Sequence, residues 1–280
     1  YILNMLPEAV WLAEDWNMLF GDGNGENLLG ITNHTGVLPV ESIIKDTIIK
    51  GEAGSVKSVE SHNGGKDTIV EFTKPYDLML NGMVITFANA AVVTDLNKAN
   101  PIIKMNDRQI LLKGVAFAGE ETAIANMTFT VNNSFFQSIE APNSEDVIKT
   151  AFAVMTYAQY YPNAITLNPS DVNAMESEKD TTGRNLGIIK VVNGVKHIAN
   201  RPIVESTGML PGKYFIGDMH MGASIVDYTN LALEWAEDVE TKLCNEVVLI
   251  ASEEVIFPVY NPWAFAYGDL AELKEAITKK

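Results

Sequence analysis

Few side chains in this sequence are suited to chemistry, and they form no recognised catalytic pattern. The histidines are His34, His62, His197 and His220, and neither an H-E-x-x-H nor a C-x-x-C zinc motif occurs. Asp218 lies two residues before His220, so on a strand both would share one face, as an acid–base or metal pair would. A surface polar pair is the simpler interpretation. The sequence therefore predicts no catalytic residue, no metal ligand and no cofactor.

A glycine-rich segment, residues 21–25, is a second candidate. Phosphate-binding loops follow a strand and open a helix, whereas this one follows a predicted helix. Asp22 and Asn24 also imitate the start of a calcium loop, but Asn33 stands where a bidentate Glu is required. We expect a structural turn here.

Three further residues invite a chemical interpretation. Cys244 is the only cysteine, which excludes an intrachain disulfide framework. Its neighbours Leu243 and Val247 predict a packed thiol. Glu253 and Glu254 interrupt an apolar β region, and a hairpin turn or solvated edge explains them better than catalysis.

Composition excludes several classes of protein. The chain has 280 residues, is 47% hydrophobic and carries a net charge of −16, so sequence-independent binding of nucleic acid phosphates is disfavoured. Neither a signal peptide nor an apolar run long enough to span a bilayer is visible, which predicts a soluble, intracellular protein. The chain starts at Tyr1 inside a predicted helix, so we expect that an upstream segment is missing.

The elements that would position these residues fall into three groups. Residues 6–20 predict a helix with Val10, Trp16 and Phe20 on its apolar side and Glu14 facing away. From about residue 35 to 140, short β-rich runs separated by turns predict a small sandwich or barrel, with strands at 68–73, 83–87, 110–117 and 127–131.

Helices and strands alternate after this β-rich part. Asn143 or Ser144 can cap a helix, and Asn168 with Pro169 begins another. The remaining predicted strands cover residues 164–167, 187–192, 201–205, 214–217, 224–227, 231–235, 246–251 and 255–260. A closing helix follows Asp269.

Three separated segments carry a family resemblance. The first is E-D-W-N-M-L-F-G-D-G-N-G-E-N-L-L-G-I at residues 14–31, and the second joins I-T-L-N-P-S-D at 165–171 to K-D-T-T-G-R at 179–184. The third includes R-P-I-V at 201–204, Gly217-Asp218 and V-Y-N-P-W-A-F at 259–265. In this order and spacing they resemble the major capsid protein family of tailed bacteriophages.

The resemblance implies an α+β, HK97-like capsid fold with a β-rich insertion domain. Residues 1–36 would be the end of the spine helix and the start of the peripheral domain, and residues 244–280 would be its strands and C-terminal helix. Residues 37–140 would be the insertion, on the outer surface, and residues 141–243 the axial domain.

The chain also departs from the family pattern. The N-terminal arm and the extended loop that usually precede the spine helix are not present in the sequence. Asn245 falls at the crosslinking Asn position of some family members, but Ser252 stands where their carboxylate would be. The loop that carries the Lys is missing too, so we predict no crosslink.

The resemblance implies a structural protein, not an enzyme. It would assemble as pentamers and hexamers of itself into the icosahedral head of a tailed phage. That head would enclose double-stranded DNA without sequence-specific binding, form in the host cytoplasm and engage portal, scaffolding and decoration proteins. An encapsulin-like compartment shell is the alternative, and an enzyme using Asp218 or His220 is a third class.

Large aromatic side chains at element ends are the expected contacts between copies. The residues predicted for this role are Tyr160, Tyr161, Trp263, Phe265 and Tyr267.

Overall fold

A computed structural model describes residues 2–44, 49–117, 119, 121–132, 139–237 and 239–278. The chain divides into two compact units, each made of two stretches of sequence. The first unit comprises Tyr1–Leu38 and Tyr160–Asp269, and the second comprises Pro39–Gln159 and Leu270–Lys280.

The elements are numbered along the chain. The α-helices are α1 (Ile2–Phe20), α2 (Val40–Ile44), α3 (Ser144–Tyr157), α4 (Pro169–Glu176), α5 (Met219–Gly222), α6 (Val239–Leu243) and α7 (Leu270–Ile277). The strands are β1 (Ile49–Gly51), β2 (Val56–His62), β3 (Asp67–Phe72), β4 (Val84–Ala88), β5 (Asn100–Pro101), β6 (Ile103–Asn106), β7 (Gln109–Leu112), β8 (Thr128–Asn132), β9 (Ala164–Leu167), β10 (Lys190–Val192), β11 (Val195–Ile198), β12 (Arg201–Glu205), β13 (Lys213–Gly217), β14 (Val226–Ala236), β15 (Val248–Ile256) and β16 (Phe265–Asp269).

Helix α1 confirms the predicted first helix but not its predicted faces. Trp16, expected in the apolar stripe, is about half exposed, and Glu14, expected in solvent, is half-buried. The helix ends at Phe20, as predicted, and the Gly21 backbone N–H donates to the Asn17 carbonyl at 2.9 Å. A Cβ on Gly30 would lie 2.5 Å from the Gly21 nitrogen, so the two backbones cross too closely for any larger residue.

A six-stranded sheet organises the first unit. Its strand order is β10-β11-β12-β9-β13-β16. Strands β9 and β12 are parallel, with Ile203 opposite Ile165, and the other pairs are antiparallel. Buried Phe215 and Phe265, from neighbouring strands, anchor the apolar cluster on this sheet.

A long antiparallel pair, β14 and β15, forms the other β structure of this unit. We call Val226–Ala236, Val248–Ile256 and the connection between them the ribbon. The sequence predicted a break near Glu253 and Glu254, which is wrong because both residues lie within β15. A strand can hold two successive glutamates because neighbouring side chains point to opposite faces. Glu254 is exposed and accepts a 3.1 Å hydrogen bond from the Thr229 hydroxyl, while Glu253 lies on the other face.

The second unit contains two four-stranded sheets, ordered β1-β8-β4-β5 and β2-β3-β7-β6. Aromatic rings join them: Phe72 and Phe129 have centroids 4.9 Å apart, and Tyr76 and Phe87 contact Phe129 at 5.3 and 5.8 Å. Gly51 has no room for a side chain beside the Phe129 ring. The β-rich prediction is confirmed, although the strand expected at 110–117 ends at Leu112.

Helices α2, α3 and α7 pack together in the same unit. The predicted cap of α3 is confirmed, since Asn143 and Asp146 form a reciprocal capping box. The Ile139 N–H also donates to the Ile277 carbonyl at 2.8 Å. The units thus group α3 and α7 with the β-rich part, whereas the four-part domain assignment from the sequence stays a prediction.

Candidate assembly surface

Phe265 is the best-packed of the predicted contact residues. Its side chain is 0% exposed and stacks on Phe215, with centroids 5.7 Å apart and planes inclined by 20°. Gly217 and Gly222 lie against the ring, and a Cβ at either position would overlap it. Phe265 is therefore a core residue of this unit, and its role as a contact between copies stays a prediction.

Tyr161 has the opposite environment, because its side chain is 67% exposed. Its backbone N–H donates to Asp218 Oδ2 at 3.2 Å, which fixes the position of the tyrosine. Tyr160 packs beside the apolar cluster of the first unit.

The suggested Asp218–His220 pair does not form a strand pair. Asp218 is buried, and its Oδ1 accepts the Met221 N–H at 3.3 Å as the cap of the short helix α5. His220 is exposed within α5. The carboxylate thus has a structural role, and the geometry does not support the interpretation as a catalytic or metal pair.

Trp263 and Tyr267 are half-buried. The indole of Trp263 lies over Gly36, where a Cβ would come 3.3 Å from Nε1. The Tyr267 ring meets Phe20 edge-on at 5.8 Å, and burial raises the pKa of its hydroxyl. Both residues combine a packed side with an accessible side.

The ribbon exposes an apolar surface that was not predicted from the sequence. Trp235 is 66% exposed and Leu243 is 84% exposed. Trp235 is paired with Leu249, while the next residue, exposed Ile250, lies on the opposite face. Cys244 is exposed in the same connection, so the predicted packed thiol is wrong. In the sequence, this surface is indicated by apolar residues at both odd and even positions of the two strands, which place apolar side chains on both faces of the ribbon.

Three carboxylates converge where α1 meets the base of the ribbon. Oxygens of Glu14, Asp227 and Glu253 all lie within 4.8 Å of one another. Burial raises the pKa of Glu14, and repulsion from Glu253, Asp227 and Asp15 raises it further. A proton or a cation between these groups would relieve the repulsion.

The glycine-rich loop is a turn, as predicted. Asp22 accepts bonds from the Asn24 backbone at 3.1 Å and from the Asn24 and Asn27 amides at 3.0 and 2.9 Å. These hydrogen bonds, led by that from Asn27, lower the pKa of Asp22 to about 2. The carboxylate is thus engaged by its own loop.

A comparison with protein families decides the identity. The model described as "Phage capsid family" matches residues 1–270. The chain belongs to the phage capsid family. It is therefore a structural capsid protein of the phage type, and this family match does not favour an encapsulin-like shell. Its helices and strands are mixed, as the α+β prediction requires.

Solved structures with weaker likeness include two described as the "Capsid of empty GTA particle" and the "Capsid of native GTA particle", both computed with C5 symmetry. Both are 17% identical to this capsid protein, over 48% of its length and 47% and 46% of theirs, with TM-scores of 0.36 and 0.35. The match thus spans about half of each chain. No curated protein matches. Among the described residues, no helix combines the length and apolar character that crossing a membrane requires.

Proposed function

We propose that this capsid protein assembles with copies of itself, as pentamers and hexamers, into an icosahedral head around double-stranded DNA. The family match over residues 1–270 carries the proposal. Weak contacts repeated over many copies give a stable closed particle, provided that each copy offers several contact surfaces. The exposure of the ribbon and of Tyr161 supports a role for both as such surfaces.

Electrostatics agree with this role. A chain of net charge −16 repels the phosphate backbone, so packaged DNA would not adhere to a wall made from it. We infer enclosure without sequence-specific binding, no catalytic step and no cofactor. Assembly in the host cytoplasm and engagement of portal, scaffolding and decoration proteins belong to the same proposal.

The domain roles are also proposals. Residues 1–36 and 244–280 would supply the peripheral domain, residues 141–243 the axial domain and residues 37–140 an outward insertion. The β-rich second unit supports the insertion, because its sheets have an aromatic core of their own.

Expression of the chain followed by electron microscopy and sedimentation tests the assembly. Closed particles of uniform diameter are the expected result. A chain that stays monomeric at all concentrations would refute self-assembly. Particles that hold a protein cargo and no DNA would contradict the head assignment.

Tyr161 provides a local test of the predicted contacts. Tyr161→Ala should raise the protein concentration needed for assembly, because it removes an exposed ring that a neighbouring copy can bury. Tyr161→Phe, which retains the ring, should assemble like the parent. If the Ala variant assembles at the same concentration as the parent, Tyr161 is not part of a contact between copies. Tyr160, Trp263 and Tyr267 can be tested in the same way.

A further inference from the structure

One edge of the six-stranded sheet is basic in an otherwise acidic chain. Residues 179–201 contain one acidic residue, Asp180, and five basic residues: Lys179, Arg184, Lys190, Lys196 and Arg201. Lys196 is neutralised within the chain, since it bridges Glu176 and Glu205 at 3.0 Å each. Within the ranges that the structure covers, Arg184, Lys190 and Arg201 are exposed and form no ion pair.

The same edge is also apolar. β10 is the outermost strand of the sheet, and all three of its residues are exposed, with Val191 at 65%. Val195 on β11 is exposed beside it. We call the set Arg184, Lys190, Val191, Val192, Val195 and Arg201 the basic edge. It combines exposed apolar side chains with cationic ones, and both kinds of group can contribute to a protein interface.

The ribbon has the matching composition with the opposite sign. Residues 226–256 contain eight acidic residues and one basic residue, Lys242, which Glu237 engages at 3.2 Å. Glu234, Glu240 and Glu246 are exposed around the apolar side chains of Trp235 and Leu243. An isolated two-stranded ribbon is marginal in water, so burial of these side chains would stabilise it.

We propose that the ribbon of one copy binds the basic edge of a second copy. The proposal rests on the proposed self-assembly and names the surfaces that carry it. Two ribbons, or two basic edges, would bring like charges together. Ribbon against edge is the one pairing of these surfaces that is attractive, and it also buries apolar side chains on both sides.

This contact is heterologous, because the two surfaces differ and each copy keeps one of each for other neighbours. Heterologous contacts of this kind close into rings when the rotation between copies permits it. The contact therefore suits a protein that must associate repeatedly without pairing off into dimers.

Cys244 permits a direct test, because it is the only cysteine of the chain and lies exposed on the ribbon. A maleimide photocrosslinker is attached to it before assembly from a mixture of isotopically labelled and unlabelled protein. After illumination, mass spectrometry should find crosslinks between differently labelled copies that map to residues 184–204. The control Cys244→Ser/Lys66→Cys places the probe on the exposed surface of the second unit and should not label that region.

Exchanging the charges of Glu234 on the ribbon and Lys190 on the basic edge tests whether electrostatic attraction contributes to the proposed contact. Glu234→Lys should reduce the crosslink yield by about two- to fivefold, the effect of one exposed ion pair. Adding Lys190→Glu in the same chain should restore it, since the pair is attractive again.

Crosslinks that map to the ribbon of a neighbour, to its second unit or to another protein would overturn the inference. In that case particles still form, so the proposed function stands. Failure of the chain to assemble at all would refute both proposals.

Discussion

The Phe265 ring fits only because Gly217 and Gly222, which lie against it, have no side chain. Gly222→Ala should destabilise the first unit by about 1–3 kcal/mol, because the new methyl group overlaps a fully buried ring. Gly208→Ala is the control, since a Cβ there meets only the Ser206 hydroxyl at an ordinary 3.4 Å. Thermal or urea unfolding measures both variants, and equal stabilities would contradict the packing described for Phe265.

Glu121 is a buried carboxylate used as a backbone anchor. It accepts the N–H groups of Ala91, Val92, Val93 and Ala123 at 2.8–3.1 Å. Burial raises its pKa, but these four bonds together outweigh burial and lower it. The stability it contributes is therefore present above the pKa of the unfolded chain and is lost as the pH falls through the folded-state pKa.

Glu121→Gln should accordingly cost about 1–3 kcal/mol at neutral pH, since an uncharged amide replaces the acceptor of four N–H groups. This loss of unfolding free energy should become smaller in acid, where the Glu121 carboxylate of the parent is itself protonated. Denaturant unfolding from pH 7 to 3, with exposed Glu52→Gln as the control, measures this. A deficit that does not change with pH would contradict the role of the charge.

Glu14 has the opposite dependence, because burial and nearby carboxylates raise its folded-state pKa. Protonation then favours the folded state, and that stability is lost as the pH rises through the folded-state pKa. Glu14→Gln should exceed the parent in stability at pH 7, and the difference should vanish in acid. Glu8→Gln, exposed on the same helix, should match the parent throughout; identical behaviour of both variants would exclude repulsion at Glu14.

Among the elements, α3 depends on its cap. Asn143 Oδ1 accepts the Asp146 N–H at 2.9 Å, and Asp146 Oδ2 accepts the Asn143 N–H at 3.1 Å. Asn143→Ala should cost about 0.5–2 kcal/mol, and Asn143→Ser should recover most of it. Thermal unfolding compares them, and equal loss in both variants would show that the cap contributes little.

Local rules predicted the elements whose signals lie within a few residues. The cap at Asn143 and the cap at Asn168 with Pro169 are of this kind, and both are present. The ribbon was predicted only in pieces, because Glu253 and Glu254 look like a turn until the partner strand and α1 are known.

The candidate surface was predicted less well, since exposure depends on the whole fold. An aromatic residue at an element end can be fully buried, like Phe265, or largely exposed, like Tyr161, and composition does not distinguish them. Cys244 and Trp235 were missed for the same reason: an apolar neighbourhood in sequence became an exposed ribbon in space. The family motifs identified the role of the chain without identifying its contacts.

At the scale of the whole molecule, each unit has its own core, so each should unfold cooperatively. Gly51→Ala, which crowds Phe129, should lower the transition of the second unit, and Gly222→Ala should lower that of the first. Calorimetry should resolve two transitions that respond separately to the two substitutions. A single transition moved equally by both would show that the units unfold as one.

The second unit also bears on how the protein is made. Helices α2 and α3 leave the ribosome long before α7, yet α7 packs against both, and the Ile139 N–H donates to the Ile277 carbonyl. The first unit is interrupted in the same manner, since residues 1–38 pack with residues 160–269, which are synthesised later. Neither unit can be completed until the residues of its second stretch have been synthesised. A nascent polypeptide that has not yet released these residues therefore lacks finished units, which delays its association with neighbours.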